Sequence, residues 1–125
     1  MGYLLDTNIV SLVLRNNLKI KKKIKQVKSQ KHLLAISCIT CFEIKRGLFA
    51  VKATKQLEKF NELCQDYQII LLDDLAILEK AAEIHAKLRL KGLPIQTEDI
   101  LIAATAIVKG LTVVSNDRDL LGLAA

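Results

Sequence analysis

Residues 3–8 read Tyr3-Leu4-Leu5-Asp6-Thr7-Asn8. The apolar run stops at Asp6, and the residues after it are typical of a helix start. Asp6 is also the only acid in the first 42 residues. It therefore lies at the C-terminal tip of a predicted buried strand, which is where open α/β sheets bind their ligands. We expect its carboxylate either to act there or to cap the helix.

Short apolar segments alternate with helical patterns along the rest of the chain. No hairpin signal separates them, and the predicted strands are apolar on both faces. We expect Thr97 to cap the last long helix and a short helical turn to start at Asp117. The pattern predicts one α/β domain over residues 1–125, an α/β/α sandwich around a parallel sheet of four to five short strands. The predicted strands are 2–6, 33–37, 68–72 and 111–114, and the predicted helices are 8–15, 18–30, 40–51, 54–66, 74–90 and 99–109.

The net charge of +6 is unevenly distributed. Residues 7–42 contain eight Lys or Arg and no acid, which suits a polyanion such as RNA. The alternative is a solvated helix face that keeps the protein soluble. The candidate RNA-binding residues in this block are Lys19, Lys21, Lys22, Lys23, Lys25 and Lys28.

No apolar run is long enough to span a bilayer, and the N-terminus lacks the pattern of a signal peptide. We therefore expect a cytoplasmic protein that does not contact the membrane. Three cysteines fit reduced thiols better than a disulfide framework. Cys38-x-x-Cys41 has no second pair to complete a zinc site, so core thiols are favoured.

Four acids occupy comparable places in this layout. Asp6 ends the first strand, Glu43 falls in the first turn of the helix after the second strand, and Asp117 follows the fourth strand. Strand ends and the helix starts that follow them share one edge of a parallel sheet, so these three acids can converge. Asp99 joins them if the helix that it opens begins at the same edge. Taken singly, each acid also has an ordinary structural role, as a helix cap, a surface ion pair or a turn residue.

Carboxylates gathered in partial burial repel one another, and a divalent cation relieves that repulsion. Hard oxygen ligands suit Mg²⁺ or Mn²⁺. Such an ion can activate a water and stabilise displacement at phosphorus. The hydroxyls and amides in the same loops that could orient the carboxylates or the water are Thr7, Asn8, Ser115 and Asn116.

Four segments together resemble a PIN domain, with order and spacing most similar to the VapC-type toxin ribonucleases of toxin–antitoxin pairs. The segments are 3–8 (YLLDTN), 37–44 (SCITCFEI), 97–106 (TEDILIAATA) and 113–120 (VVSNDRDL). The resemblance covers essentially the whole chain. It implies a Mg²⁺- or Mn²⁺-dependent endoribonuclease that acts on tRNA or rRNA, forms a homodimer and is inhibited by a cognate antitoxin.

Carried onto this sequence, the resemblance implies that Asp6, Glu43 and Asp99 are catalytic, metal-binding acids and that Asp117 is the fourth. Asp119 competes for that fourth role, and we favour Asp117 because it lies nearer the strand end. Ser115 stands where the family often has Thr, which keeps the hydroxyl.

Two other functions compete with this interpretation. A non-catalytic RNA- or protein-binding module on the same scaffold would bind without metal, and its RNA affinity would fall steeply with salt. A receiver-like phosphoacceptor domain would need a pair of adjacent acids near the first strand, and that strand offers only Asp6.

Overall fold

The computed structural model describes residues 2–93 and 95–116. Within these residues four parallel strands form one sheet in the order β3-β2-β1-β4, with six helices around it. The predicted α/β fold is confirmed. The elements are β1 (Gly2–Leu5), α1 (Thr7–Leu14), α2 (Leu18–Ser29), β2 (Leu33–Ser37), α3 (Cys38–Ala50), α4 (Thr54–Asp66), β3 (Gln68–Ile70), α5 (Leu75–Leu90), α6 (Thr97–Lys109) and β4 (Thr112–Val114).

β1 lies inside the sheet and is buried on both faces. Leu4 pairs with Ala35 of β2 and Val113 of β4, and it packs with Ile102 and other α6 residues on one face. Leu5 points to the other face, where a second cluster is formed by α1, α3 and α4 around the fully buried Phe60. Burial on both faces explains why the strand reads as an unbroken apolar run.

The remaining helices complete the two outer layers. α2 covers the Leu5 side with Ile20, Ile24 and Val27 and turns its lysines outward. α5 packs on α6 through Ile77 and a third apolar cluster.

Helix ends follow the expected chemistry, with one correction. α6 ends at Gly110, whose φ of +66° is the left-handed conformation that glycine adopts without strain. Thr97, however, is the first residue of α6, and Gln96 occupies the N-cap without a side-chain hydrogen bond. The prediction of a Thr97 cap was wrong because the helix begins one residue earlier than that cap requires.

The parallel register places the carboxyl ends of three strands side by side. Leu5 pairs with Ile36 and with Val114, so Asp6, Ser37 and Ser115 all follow at one edge of the sheet. We call it the acidic edge. The helical turn predicted from Asp117 lies outside the described residues. Among the described helices, none has both the length and the apolarity needed to cross a membrane.

Candidate active site

Asp6 joins β1 to α1 without an intervening loop. Its backbone N–H donates to the carbonyl of Val114 at 3.1 Å, which extends the sheet by one residue. Its Oδ1 accepts from the backbone N–H of Ile9 at 2.9 Å and so caps α1. The side chain is only 3% exposed. Capping is thus a real role of Asp6, and the capping bond also fixes the direction of its carboxylate.

The hydroxyl of Ser115 donates to the second carboxylate oxygen of Asp6, Oδ2. Each oxygen of Asp6 therefore accepts at least one hydrogen bond from the chain. Ser115 was predicted from sequence to orient the acids, and its contact with Asp6 fits that role.

Thr7 connects the end of β1 to α3. Its hydroxyl donates to Oε1 of Glu43 at 2.7 Å and lies 3.2 Å from the hydroxyl of the fully buried Thr40. The Glu43 side chain is 17% exposed, and its Oε2 lies 3.7 Å from a guanidinium nitrogen of Arg46. Thr7, the residue directly after Asp6, thus holds the Glu43 carboxylate by a hydrogen bond.

Glu43 is the sixth residue of α3 and not in its first turn as predicted. The helix starts at Cys38, directly after β2, because Ser37 ends the strand and caps the helix through the N–H of Ile39 at 3.1 Å. Glu43 reaches the acidic edge from the second turn. Thr40 and Arg46 were missed from sequence, since nothing in their local pattern separates them from ordinary helix residues.

Asp99 is half-buried in the first turn of α6. α6 packs along the sheet and ends beside the start of β4, so its first turn points toward the acidic edge. α6 also packs against α3, which carries Glu43. This direction is the one that Asp99 needs to approach the other acids, and its place among them stays a prediction.

The remaining predicted residues at this edge are peripheral or lie outside the described residues. Asn8 is exposed in the first turn of α1, and Asn116 is exposed immediately after Ser115. Asp117 and Asp119 both fall outside the described residues.

The possible metal ligands at the acidic edge are carboxylate and hydroxyl oxygens. Oxygen ligands of this kind are preferred by hard divalent cations. Across residues 2–93 and 95–116, no three Asp, Glu, His or Cys side chains form a group that could hold a metal ion. Asp6, Glu43 and Asp99 are all among these residues, so their convergence on one ion stays a prediction, as does the role of Asp117 or Asp119 as a further ligand. The donor chemistry fits the Mg²⁺ or Mn²⁺ expected from the sequence, and the full ligand set remains a prediction.

A groove of about 190 Å³ opens from Glu43 and runs beside α1. α1, α3 and α4 form its walls, and it reaches from the start of α1 to the helix end. The lining residues are Thr7, Ser11, Leu14, Arg15, Glu43, Ile44, Gly47, Leu48 and Gln56.

The lysines of α2 are not equivalent. Lys28 pairs with Asp66 at 3.5 Å and lies 5.9 Å from the centre of the Tyr67 ring. Lys21 is half-buried and donates to Asn16 at 2.8 Å. The other four predicted lysines, Lys19, Lys22, Lys23 and Lys25, are exposed. Lys59 of α4 also reaches Asn16; sequence reasoning missed it because 43 positions separate the two residues.

The three cysteines are free thiols. Burial, followed by the neighbouring Cys64, raises the pKa of the Cys41 thiol to about 11. Cys41 is therefore protonated at neutral pH and behaves as a core residue. This result agrees with the prediction of core thiols.

The structure is a three-layer parallel α/β domain with carboxylates at the carboxyl edge of its sheet. Comparison of the sequence with known families shows which family of such domains it belongs to. The sequence profile described as PIN domain matches residues 3–125. The chain therefore belongs to the PIN domain family.

Within that family the chain is similar to proteins of known name. It is 30% identical over 124 residues to ribonuclease VapC2 of Rickettsia felis, covering 94% of this chain and 87% of that protein. It is 30% identical over 90 residues to plasmid stability protein StbB of Pseudomonas syringae pv. tomato, covering 67% of this chain and 65% of StbB. It is 36% identical over 75 residues to ribonuclease VapC1 of Methanocaldococcus jannaschii, covering 60% of this chain and 52% of VapC1. The chain thus spans less than two thirds of StbB and about half of VapC1.

The solved structure of VapBC2 from Rickettsia felis bound to a promoter DNA fragment matches with a TM-score of 0.85 at 26% identity, covering 94% of this chain and 88% of that chain. The fold and the type of relative expected from the sequence are confirmed.

Proposed function

We propose that this PIN-domain protein is a Mg²⁺- or Mn²⁺-dependent endoribonuclease and the toxin of a toxin–antitoxin pair. The observation that carries the proposal is a pair of carboxylates held by hydrogen bonds near the carboxyl edge of the sheet, Asp6 by Ser115 and the Ile9 amide and Glu43 by Thr7. The naming of two relatives as VapC ribonucleases supports it. On the same family relationship we propose RNA as the substrate, with tRNA or rRNA favoured.

Each residue at this edge has a distinct task in the proposed reaction. Asp6 and Glu43, with Asp99 and Asp117, would hold the cation. Ser115 and the Ile9 amide keep the Asp6 carboxylate in one orientation, and Thr7 does the same for Glu43. When bound, a divalent cation lowers the pKa of a coordinated water and stabilises negative charge on the phosphate.

The proposed partners follow from the comparisons. Solved structures similar to this chain are VapBC complexes, so we propose a cognate antitoxin that covers the acidic edge. A homodimer is proposed on the same family relationship.

The test is an RNA cleavage assay with purified protein, with Mg²⁺ or with EDTA. We expect Asp6→Asn to lower cleavage by more than roughly 100-fold, because changes to residues that merely orient metal ligands already cost about 10- to 100-fold. Asparagine still accepts the Ile9 N–H, so the fold survives. Asp66→Asn is the matched control, since Asp66 ends α4 at the opposite edge of the sheet and pairs with Lys28 at the surface.

Two results would contradict the proposal. The first is cleavage by the Asp6→Asn protein at the wild-type rate. The second is RNA binding by the wild-type protein without cleavage under any divalent metal, which would favour the non-catalytic binding module.

A further inference from the structure

α1, α2 and α4 meet at Asn16, far from the strand ends. α1 ends at Leu14 and α2 begins at Leu18, so the chain turns sharply between them. Asn16 makes this turn with φ of 60°, a left-handed conformation that asparagine tolerates better than most residues. The turn presents the Asn16 side chain to the lysines of two helices.

Two ammonium groups converge on the amide oxygen of Asn16. Lys21 of α2 donates to Oδ1 at 2.8 Å, and Lys59 of α4 donates to the same atom. Lys59 also donates to the carbonyl of Leu14 at 3.3 Å. We call Asn16, Lys21, Lys59 and the adjacent exposed Arg15 the Asn16 corner.

The charge of the Asn16 corner is not neutralised by nearby acids. Among the described residues, no carboxylate lies within 4.0 Å of Lys21, Lys59 or Arg15. Two like charges that share one neutral acceptor repel each other. An anion with several oxygens relieves this repulsion.

The donors that remain at the corner match such an anion. An ammonium group has three N–H donors. Lys59 uses two of them and Lys21 one, so three are left, and Arg15 adds a guanidinium. Phosphate is the common biological anion with enough oxygens to accept them.

The groove beside α1 joins the corner to the acidic edge. Thr7 and Glu43 line one end of it, and Leu14 and Arg15 line the other. α1 spans eight residues, so the two ends are about 12 Å apart at 1.5 Å per residue. A chain of linked phosphates laid along the groove would contact cations at one end and carboxylates at the other.

We propose that the Asn16 corner binds a backbone phosphate of RNA and thereby holds the strand in the groove that leads to Thr7 and Glu43. This inference rests on the proposed ribonuclease function and adds the surface that positions the substrate. Lys21 and Lys59 act as positioning residues, since they lie away from the carboxylates.

The experiment measures RNA affinity separately from cleavage. All binding variants carry Asp6→Asn, so that the RNA stays intact, and the probe is a fluorescent single-stranded oligoribonucleotide read by anisotropy at several salt concentrations. We expect Lys21→Gln/Lys59→Gln to weaken binding about tenfold and to lower the slope of log Kd against log salt by about 0.7, since each phosphate neutralised on a single strand contributes roughly that amount. Without Asp6→Asn, the same pair should raise KM for RNA cleavage and leave kcat within about twofold.

The matched control is Lys87→Gln/Lys91→Gln, which removes the same charge from exposed positions at the end of α5. It should change affinity by less than about twofold. Lys21→Arg/Lys59→Arg keeps the charge and should restore the affinity. Lys21→Gln alone leaves the Lys59 hydrogen bond to Leu14 intact. Its RNA affinity tests the site if the double variant has a much lower melting temperature than the wild type.

The outcomes separate this inference from the proposed function. Equal affinity and equal salt slope for the corner and control pairs would overturn the corner as an RNA site. A loss of binding seen with duplex DNA but not with RNA would overturn the assignment to RNA. If the wild-type protein cleaves no RNA while the corner pair still weakens RNA binding, the ribonuclease proposal fails and the corner remains an RNA-binding site.

Discussion

The two ends of α1 are built in opposite ways. At its start, each oxygen of Asp6 accepts a hydrogen bond from a fixed donor, and the side chain is 3% exposed. At its end, two flexible ammonium groups share the amide oxygen of Asn16 near the surface. The hydrogen bonds at Asp6 fix its carboxylate in position, as bond cleavage requires. The lysine side chains at Asn16 have several rotatable bonds, so their ammonium groups can follow a bound RNA strand that moves. From this difference we predict that the proposed cleavage and the proposed RNA binding can be separated by mutation.

Metal removal is the strongest test of that separation. We expect EDTA to reduce RNA cleavage by the wild-type protein to background, because the proposed cation activates the water. RNA affinity at the Asn16 corner should change by less than about threefold, since its contacts are made by the chain itself. Anisotropy and cleavage measured on the same samples check this. A parallel loss of affinity would show that the two ends are not independent.

Thr7→Val should have the next largest effect. Valine keeps the shape of threonine but cannot hydrogen-bond to Glu43 or Thr40, so the Glu43 carboxylate loses its orientation. We expect cleavage to fall by about 10- to 100-fold, as for other partners that orient metal ligands. RNA affinity should stay constant. Thr7→Ser keeps the hydroxyl and should retain most of the activity; equal loss in both variants would point to packing instead.

Asn16 allows a smaller test at the other end of α1. Asn16→Ala removes the shared acceptor and places a less tolerant residue at φ of 60°, so we expect it to destabilise the protein by about 1 kcal/mol. Asn16→Gly removes the acceptor without the steric cost. Both should weaken RNA binding by about two- to threefold, because the lysines remain. Thermal melts and anisotropy separate the effects, and unchanged binding in both variants would show that the acceptor does not matter.

The smallest effect concerns a second capping acid. Asp74 caps α5 through the N–H of Ala76 at 2.9 Å, and its side chain is 38% exposed, far more than that of Asp6. That backbone hydrogen bond, and then Lys109, lower the pKa of Asp74 from 3.8. A lowered folded-state pKa means that the stabilisation is present above about pH 3.8 and is lost as pH falls through the lower folded value. We expect Asp74→Asn to lower the melting temperature slightly at pH 6 and by less at pH 2.5. An equal difference at both pH values would rule out ionisation as the cause.

Much of the fold was predictable because its signals are local. The bounds of β2 at Leu33–Ser37 and α4 at Thr54–Asp66 agree with the sequence-based prediction, since apolar runs and helical spacing mark both. Phe60 lies at an apolar position of the α4 helical spacing, and it is fully buried. The errors fall at helix starts, where Gln96 replaces Thr97 as the cap and Ser37 starts α3 earlier than expected. Cap positions depend on backbone angles that side-chain patterns specify weakly.

The candidate site was predictable in part. Asp6, Glu43 and Ser115 were identified because strand ends in a parallel sheet meet at one edge. The Asn16 corner was not predicted, because Lys59 approaches Asn16 across 43 positions and only the packing of α4 against α1 brings them together. Asp117 and Asp119 remain predictions for the fourth acid.

The direct passage from β1 into α1 has a consequence for how such a domain diversifies. The backbone of Asp6 donates to Val114 in the sheet, and its carbonyl accepts from Val10 in the helix, both at 3.1 Å. An insertion or deletion on either side would shift a core strand or unwind a helix before it moved the carboxylate. New specificity therefore has to come from exchanges on neighbouring elements, while the position of this carboxylate is inherited with the core.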